Sequence, residues 1–219
     1  MLQETGVSPA ITQPERLWRL ARGDYFWLML LAPAADPVGV ALLAAFRLNF
    51  LAYKTLADCA LAQLSAAEWL YVPAPGSNSA AVIVQHLVGN LRSRFTDFLT
   101  SDGEKPTRRR DQEFAAPAAV GAVAGLQGEW EAAWRILFTL LEDLPPADLL
   151  RTVFIRGEAH TVLAALQRQV AHYASHAGQL VQLAKIIRGE AFQCLSIPRG
   201  QSEPFNQQLF GARPASSAS

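Results

Sequence analysis

The stretch that decides the fold is Glu158-Ala-His-Thr-Val-Leu-Ala-Ala-Leu-Gln-Arg-Gln-Val-Ala-His-Tyr-Ala-Ser-His-Ala-Gly-Gln-Leu-Val-Gln-Leu-Ala-Lys-Ile-Ile-Arg188. Its apolar residues recur at helical spacing. Gly189 follows directly, and glycine is a common residue just beyond the end of a helix. The stretch therefore predicts a long α-helix over residues 158–188.

Three more stretches have the same helical character. They cover residues 38–64, 77–100 and 118–142 and are separated by loops rich in proline, glycine or charge. Residues 149–155 are expected to form a short extended piece or a hairpin arm. Because no strand alternation suggests a larger sheet, we predict an all-α fold, an up-down four-helix bundle in which facing side chains build any cofactor site.

The predicted bundle domain spans residues 38–206. A mostly irregular C-terminal tail ends it, and the low-complexity residues 207–219 are expected to be disordered. Residues 1–37 form an N-terminal extension that packs on the bundle, extends a dimer interface or lies upstream of the native start. Its apolar run, residues 25–32, is far shorter than the roughly 20 residues of a membrane span, so we expect no stable span.

The charge balance restricts the partners. Lys plus Arg and Asp plus Glu both number 19, so no overall field attracts nucleic acid. The run Arg108 to Arg110 is followed by Asp111 and Glu113 and is interpreted as a solvated loop cluster. Two cysteines without CxxC spacing indicate a reducing compartment, and we expect a cytoplasmic location.

Three of the four histidines form a candidate metal site. His172 and His176 are four residues apart, so both imidazoles project from one helix face. His86 lies on the inward stripe of the second predicted helix. Three imidazoles can hold a divalent ion and leave positions open. His160, twelve residues before His172, lies about 120° away around the same helix and is left out; ordinary buried histidines with hydrogen-bond partners remain the alternative.

Four polar residues lie near this set in the sequence. Asn90 is one turn beyond His86, while Gln169 and Gln179 are each three residues from one histidine of the pair. Such amides can fix an imidazole tautomer or hold a metal-bound water, or make ordinary hydrogen bonds between helices. Arg94 is a candidate for binding an anionic substrate group or for a structural salt bridge.

The carboxylate patterns of two metalloenzyme classes are missing. The chain has no His-Glu-x-x-His motif, so a zincin-type protease is not expected. It also lacks the Glu-x-x-His motifs of carboxylate-bridged di-iron bundles.

At these histidines the chain resembles the DinB-like superfamily of bacterial four-helix proteins, marked by one histidine on the second helix and a His-x-x-x-His pair on the fourth. Closer similarity, to an uncharacterised bacterial subfamily, covers about residues 44–206. It is carried by Tyr53-Lys-Thr-Leu, Asn78-Ser-Ala-Ala-Val-Ile-Val-Gln-His-Leu-Val-Gly-Asn90, Arg94-Phe-Thr-Asp-Phe-Leu-Thr-Ser-Asp-Gly-Glu-Lys-Pro106 and Leu195-Ser-Ile-Pro-Arg-Gly-Gln-Ser202. The resemblance implies a metal-binding bundle, commonly homodimeric, with relatives that include thiol-cofactor-dependent transferases, an isomerase and metal-dependent hydrolases.

We therefore expect a divalent-metal-binding protein that acts as a metal-dependent enzyme on a small molecule, of the thiol-cofactor transferase or hydrolase type. Imidazole ligands suit zinc and nickel, and iron as well. A low-molecular-weight thiol is a candidate cofactor, and no catalytic side chain is assigned. The alternatives are a non-catalytic metal-binding or stress-response module with a structural or sensing site, and an interaction protein whose histidines only pack.

Overall fold

The computed structural model describes residues 36–117 and 119–211, which are mostly helical, with a single two-stranded sheet. The extension up to residue 35 and the last residues, 212–219, lie outside the described part. The described elements are α1 (Pro37–Leu61), α2 (Ala66–Trp69), α3 (Ala80–Phe95), α4 (Ala122–Asp143), β1 (Thr152–Ile155), β2 (Glu158–Thr161), α5 (Val162–Arg188) and α6 (Ser202–Gly211). The all-α prediction is thus confirmed at the level of secondary structure.

Side-chain caps fix where the helices begin. Ser79 caps α3 and Thr161 caps α5, each accepting a hydrogen bond from a backbone N–H in the first turn. A capping box of Ser65 and Glu68 opens α2. Gly189, with φ of 53°, ends α5 as predicted.

The fourth long helix begins later than predicted, because residues 158–161 form β2. This strand pairs antiparallel with β1, and Thr152 lies opposite Thr161. Arg156 and Gly157 connect the strands with φ of 57° and 76°, as a two-residue hairpin turn of the I′ type requires. The expected hairpin arm is therefore present at Thr152–Ile155, after a 3-10 turn that includes Leu149 and Leu150, and the expected helix start at 158 is wrong.

The second long helix ends earlier than predicted, at Phe95 rather than near residue 100. Asp97 has φ of 49°, which a continuing helix cannot contain. The chain then enters the α3–α4 loop, residues 96–117, which includes a 3-10 turn at Arg110–Phe114.

The long helices pack in pairs around one core. α1 lies mainly along α5, α3 lies mainly along α4, and α3 also contacts α5. Phe50 of α1, Trp134 of α4 and Tyr173 of α5 are almost completely buried and stack edge to face. The histidine-bearing helices α3 and α5 are therefore neighbours.

Ion pairs also connect α1 to α4. Arg47 pairs with Glu142 at 2.8 Å and Lys54 with Glu131 at 2.9 Å. Because the order of the partners is reversed along the two helices, α1 and α4 run antiparallel. The first and third long helices of an up-down bundle run parallel, so the up-down order expected from the sequence is wrong.

Among the described residues, α1 is the one helix that is long and apolar enough to cross a membrane. Long apolar core helices meet the same two criteria. Phe46 and Phe50 of α1 are buried in the core, so part of its apolar surface is used within the protein.

The described residues divide into two compact units, one within residues 36–193 and a second that contains residues 194–211. In the second unit the prediction of an irregular tail is wrong for α6. Pro204 lies in the first turn of α6, where a missing N–H costs no helical hydrogen bond. Gln207 donates a hydrogen bond of 3.1 Å to Glu203 one turn earlier.

Candidate metal centre

Three imidazole nitrogens converge between α3 and α5. Nε2 of His172 lies 3.3 Å from Nε2 of His86 and 3.1 Å from Nε2 of His176. A tetrahedral zinc ion with Zn–N distances of 2.0–2.1 Å holds two ligand nitrogens about 3.3 Å apart. The spacing of these nitrogens is therefore compatible with a metal site.

Hydrogen bonds at the opposite ring edges fix two of the tautomers. Nδ1 of His86 donates to Oε2 of Glu113 at 2.9 Å, and Nδ1 of His176 donates to Oε1 of Gln179 at 2.8 Å. In a neutral imidazole whose Nδ1 carries the N–H, Nε2 presents a lone pair to its surroundings. His172 can donate one hydrogen to only one of the two Nε2 atoms, whereas a cation satisfies all three nitrogens.

Burial keeps the α5 histidines neutral. Burial, together with repulsion from the neighbouring imidazoles of His176 and His86 when these are protonated, lowers the pKa of His172 from its ordinary 6.5 to about 3. The pKa of His176 is also lowered, mainly by burial, against the opposing effect of Gln179. Both rings are therefore neutral at physiological pH, as metal ligands must be.

Glu113 was not identified from the sequence, where it belonged to a cluster interpreted as solvated. That interpretation is wrong for Arg108 and Glu113, whose side chains are only 4% and 9% exposed. Arg108 donates to both oxygens of Glu113, at 2.7 and 2.8 Å, and also to Glu104 at 3.1 Å. These charge-assisted contacts compensate the burial of the charges.

The ion pair keeps the carboxylate of Glu113 charged. Burial alone would raise the pKa of Glu113, but hydrogen bonds from Arg108 and His86 hold it below its ordinary value. His86 therefore meets a carboxylate that accepts hydrogen bonds and does not donate them.

Anchors on α3 position the loop that carries Glu113. The side-chain amide nitrogen Nε2 of Gln85 lies within 3.1 Å of the backbone carbonyl oxygens of Gln112, Glu113 and Ala115. Gly89 leaves room for the carboxylate, since a methyl group there would overlap Oε1 of Glu113. A glycine inside a helical stretch is a sequence signal that could have indicated a close approach here, but the sequence analysis did not use it.

Phe114, next along the loop, covers the ring of His86. The two rings stack with centroids 4.9 Å apart, and the guanidinium of Arg110 lies 5.1 Å from the Phe114 ring centre. The loop thus shields His86 while His172 and His176 remain partly accessible.

The other polar candidates have different surroundings. Asn90 accepts a hydrogen bond of 2.9 Å from the Tyr173 hydroxyl rather than one from a histidine. Gln169 is 2% exposed, and its Oε1 has no hydrogen-bond partner among the described residues. Gln179 lies on His176, as described above.

Arg94 is almost completely buried and lies 3.7 Å from Glu104. The same carboxylate lies 3.1 Å from Arg108 and 3.4 Å from Arg156. The structure thus gives Arg94 a shared, long ion pair. Its Nε and Nη1 have no hydrogen-bond partner in the described part of the chain.

His160 lies outside the cluster, although not for the reason expected from helical phase. It belongs to β2, and its Nε2 is 3.8 Å from Glu158. Within residues 36–117 and 119–211, the group of potential ligands consists of His86, His172 and His176, with ligand atoms within 4.8 Å of one another.

A groove of about 700 Å³ runs behind Glu113, between α3, the α3–α4 loop and Glu129 of α4. Gly89, Arg108 and Glu113 contribute to its wall, and no histidine does. The groove therefore borders the outer side of the Glu113–Arg108 pair rather than the histidine cluster.

These features define the class of protein: it is mostly helical and has a three-histidine cluster that is compatible with a metal site. The chain belongs to a family of proteins of unknown function, DUF1572, whose model matches residues 38–201. A search of curated proteins and a search of solved structures found no match.

Proposed function

We propose that this protein binds a divalent metal ion through His86, His172 and His176 and is a metal-dependent enzyme acting on a small molecule. The observation that carries the proposal is the convergence of three Nε2 atoms, two of them with lone pairs fixed by partners at Nδ1. Without a cation, these lone pairs repel one another in a partly buried space.

Three neutral ligands leave coordination positions open, which is typical of catalytic rather than structural zinc sites. A divalent ion there supplies a Lewis acid that polarises a substrate oxygen or binds a thiol sulfur. The proposal therefore includes hydrolase and thiol-cofactor transferase activity. Zinc and nickel suit three imidazoles, and iron remains a candidate.

Arg94 is the proposed contact for an anionic substrate group. It lies two turns beyond His86 on the same helix, and its burial would strengthen binding of a negative charge. Its long ion pair with Glu104 leaves donors that a substrate carboxylate or phosphate would engage.

We further propose that the four long helices form a bundle of the DinB type, and that the protein is a cytoplasmic homodimer. The position of the histidines on the neighbouring helices α3 and α5 supports the bundle. Two free cysteines, Cys59 and Cys194, fit a reducing compartment. Analytical ultracentrifugation tests the dimer.

Metal content tests the main proposal. Untagged protein is purified without chelators and analysed by plasma mass spectrometry, and the metal-free form is titrated with Zn²⁺ and Ni²⁺. At a hundredfold excess over the dissociation constant we expect a rise in melting temperature of roughly 5–10 °C. His176→Ala should abolish the rise, whereas His160→Ala, a histidine outside the cluster, should retain it.

Metal-free native protein without a thermal shift would refute metal binding. Thiol-conjugation and ester-hydrolysis assays with the loaded protein then test the enzyme proposal. The stacking of Phe114 on His86 favours a second candidate, a non-catalytic structural or sensing site. Strong destabilisation of His176→Ala in the metal-loaded state, without activity in the wild type, would support that candidate.

A further inference from the structure

We propose that Glu113 is a positioning residue of the metal centre, placed by Arg108 and admitted by Gly89. Its hydrogen bond to Nδ1 holds His86 in the orientation and tautomer that bind metal. The inference rests on the proposed metal-binding function and adds residues from the α3–α4 loop to that site.

The geometry separates the role of Glu113 from that of a ligand. Its Oε2 meets Nδ1 of His86, whereas Nε2 of the same ring faces His172. A carboxylate at one ring edge cannot reach an ion at the other. It can fix the ring and increase the basicity of Nε2, as carboxylates behind metal-bound histidines do.

Arg108 determines the direction of the carboxylate. Its Nε and Nη2 each donate to a different oxygen of Glu113, so the two groups form a planar pair. The remaining acceptor capacity of Oε2 is directed at His86. Both side chains are more than nine-tenths buried, which excludes competing water from most of their surface.

Gly89 provides an independent observation. It lies three residues after His86, one turn along α3, where the carboxylate of Glu113 crosses the helix. A Cβ at this position would overlap Oε1 and also come within 2.5 Å of Cδ of Glu113. Glycine is a poor helix former, so its presence inside α3 is explained by this crossing.

The experiment measures the Zn²⁺ affinity of full-length protein by competition with a chromophoric chelator. Glu113→Gln keeps the size of the side chain but removes its charge, and we expect an affinity loss of about tenfold. Gly89→Ala keeps every charge but displaces the carboxylate, and we expect a loss of similar size. Alanine also favours the helix, and the melting temperature of metal-free Gly89→Ala shows whether the overlap causes a general loss of structure.

Matched controls separate positioning from general effects. Glu104→Gln removes another carboxylate partner of Arg108 without touching a histidine, and Gly128→Ala makes the same helix substitution on α4, where nothing lies within 4 Å of the new methyl group. Both should bind Zn²⁺ within about twofold of wild type, because both leave the hydrogen bonds of Glu113 to Arg108 and His86 in place. The visible spectrum of the Co²⁺ form should change in Glu113→Gln and not in the controls.

Wild-type affinity in Glu113→Gln would overturn the role of Glu113, and wild-type affinity in Gly89→Ala would overturn the role of Gly89. If Glu113→Gln does not fold, Gly89→Ala decides alone. A wild-type protein that binds no metal would instead refute the proposed function, so the two failures are distinguishable.

Discussion

The two sides of the candidate metal centre are held by different kinds of contact. On the α3 side, His86 is 5% exposed, and its partner Glu113 comes from a loop 27 residues later. On the α5 side, the two histidines are more accessible, and Gln179, the partner of His176, is exposed and three residues away on the same helix. The α5 side exists once its helix forms, whereas the α3 side also requires the loop to dock.

His172 connects the two sides, so its removal should have the largest effect. Its Nε2 is the nitrogen that contacts both of the others. His172→Ala should lower Zn²⁺ affinity by more than about 100-fold. This exceeds the loss expected when a residue that only hydrogen-bonds to a metal ligand is replaced. Isothermal titration checks this, with His160→Ala as control; retained affinity would show that the two sides do not share one ion.

Arg108→Met tests the ionic character of the α3 side. The substitution leaves the Glu113 carboxylate buried without its cation, which we expect to lower the free energy of unfolding by about 3 kcal/mol. Urea denaturation of the metal-free protein measures this. Arg47→Met, which breaks an exposed pair with Glu142, should cost less than about 1 kcal/mol, and equal losses would contradict the contrast.

Acid should disrupt the two sides in different pH ranges. The lowered pKa of His172 means that below pH 6.5 the unfolded chain binds more protons than the folded one. Metal-free protein should therefore lose stability as the pH falls from 6.5 toward about 3, by roughly 2 kcal/mol at about pH 5.

The contribution of Glu113 follows at lower pH. Its pKa is also lowered, so its stabilisation is complete above 4.5 and is lost only below that value. Denaturation at a series of pH values checks both ranges. His172→Ala should reduce the loss in the first range, to which His176 also contributes, without altering the second; an unchanged slope between pH 6.5 and 4.5 would contradict the assignment.

Gln179→Ala should have the smallest effect. Its amide is exposed and neutral, so water can replace its hydrogen bond to His176. We expect a loss of Zn²⁺ affinity of about threefold or less, smaller than for Glu113→Gln. Chelator competition on both variants measures the ratio, and a larger loss in Gln179→Ala would reverse the comparison.

The sequence was informative where contacts are local. The spacing of His172 and His176 and the end of the helix at Gly189 are both decided within one or two helical turns. His86 could be added because the period of α3 turns it inward. The helix start at 158 failed because strand pairing with β1 outweighs the apolar pattern of the segment.

The loop residues could not be read in the same way. Arg108 and Glu113 belong to a charged run typical of solvent exposure. Their burial depends on the ion pair between them and on the contact of Glu113 with His86 of α3, which lies 27 residues earlier in the sequence. No helical or strand period encodes such a contact.

Asp102 connects the α3–α4 loop to the β1–β2 hairpin. Its carboxylate accepts hydrogen bonds from the backbone amides of Arg156 and Gly157, and the amide of Gly103 donates to the carbonyl of Phe154. The α3–α4 loop and the hairpin should therefore exchange their amide hydrogens with solvent as one cooperative unit. The histidine cluster thus depends on the opening free energy of a hairpin that contributes none of its imidazoles.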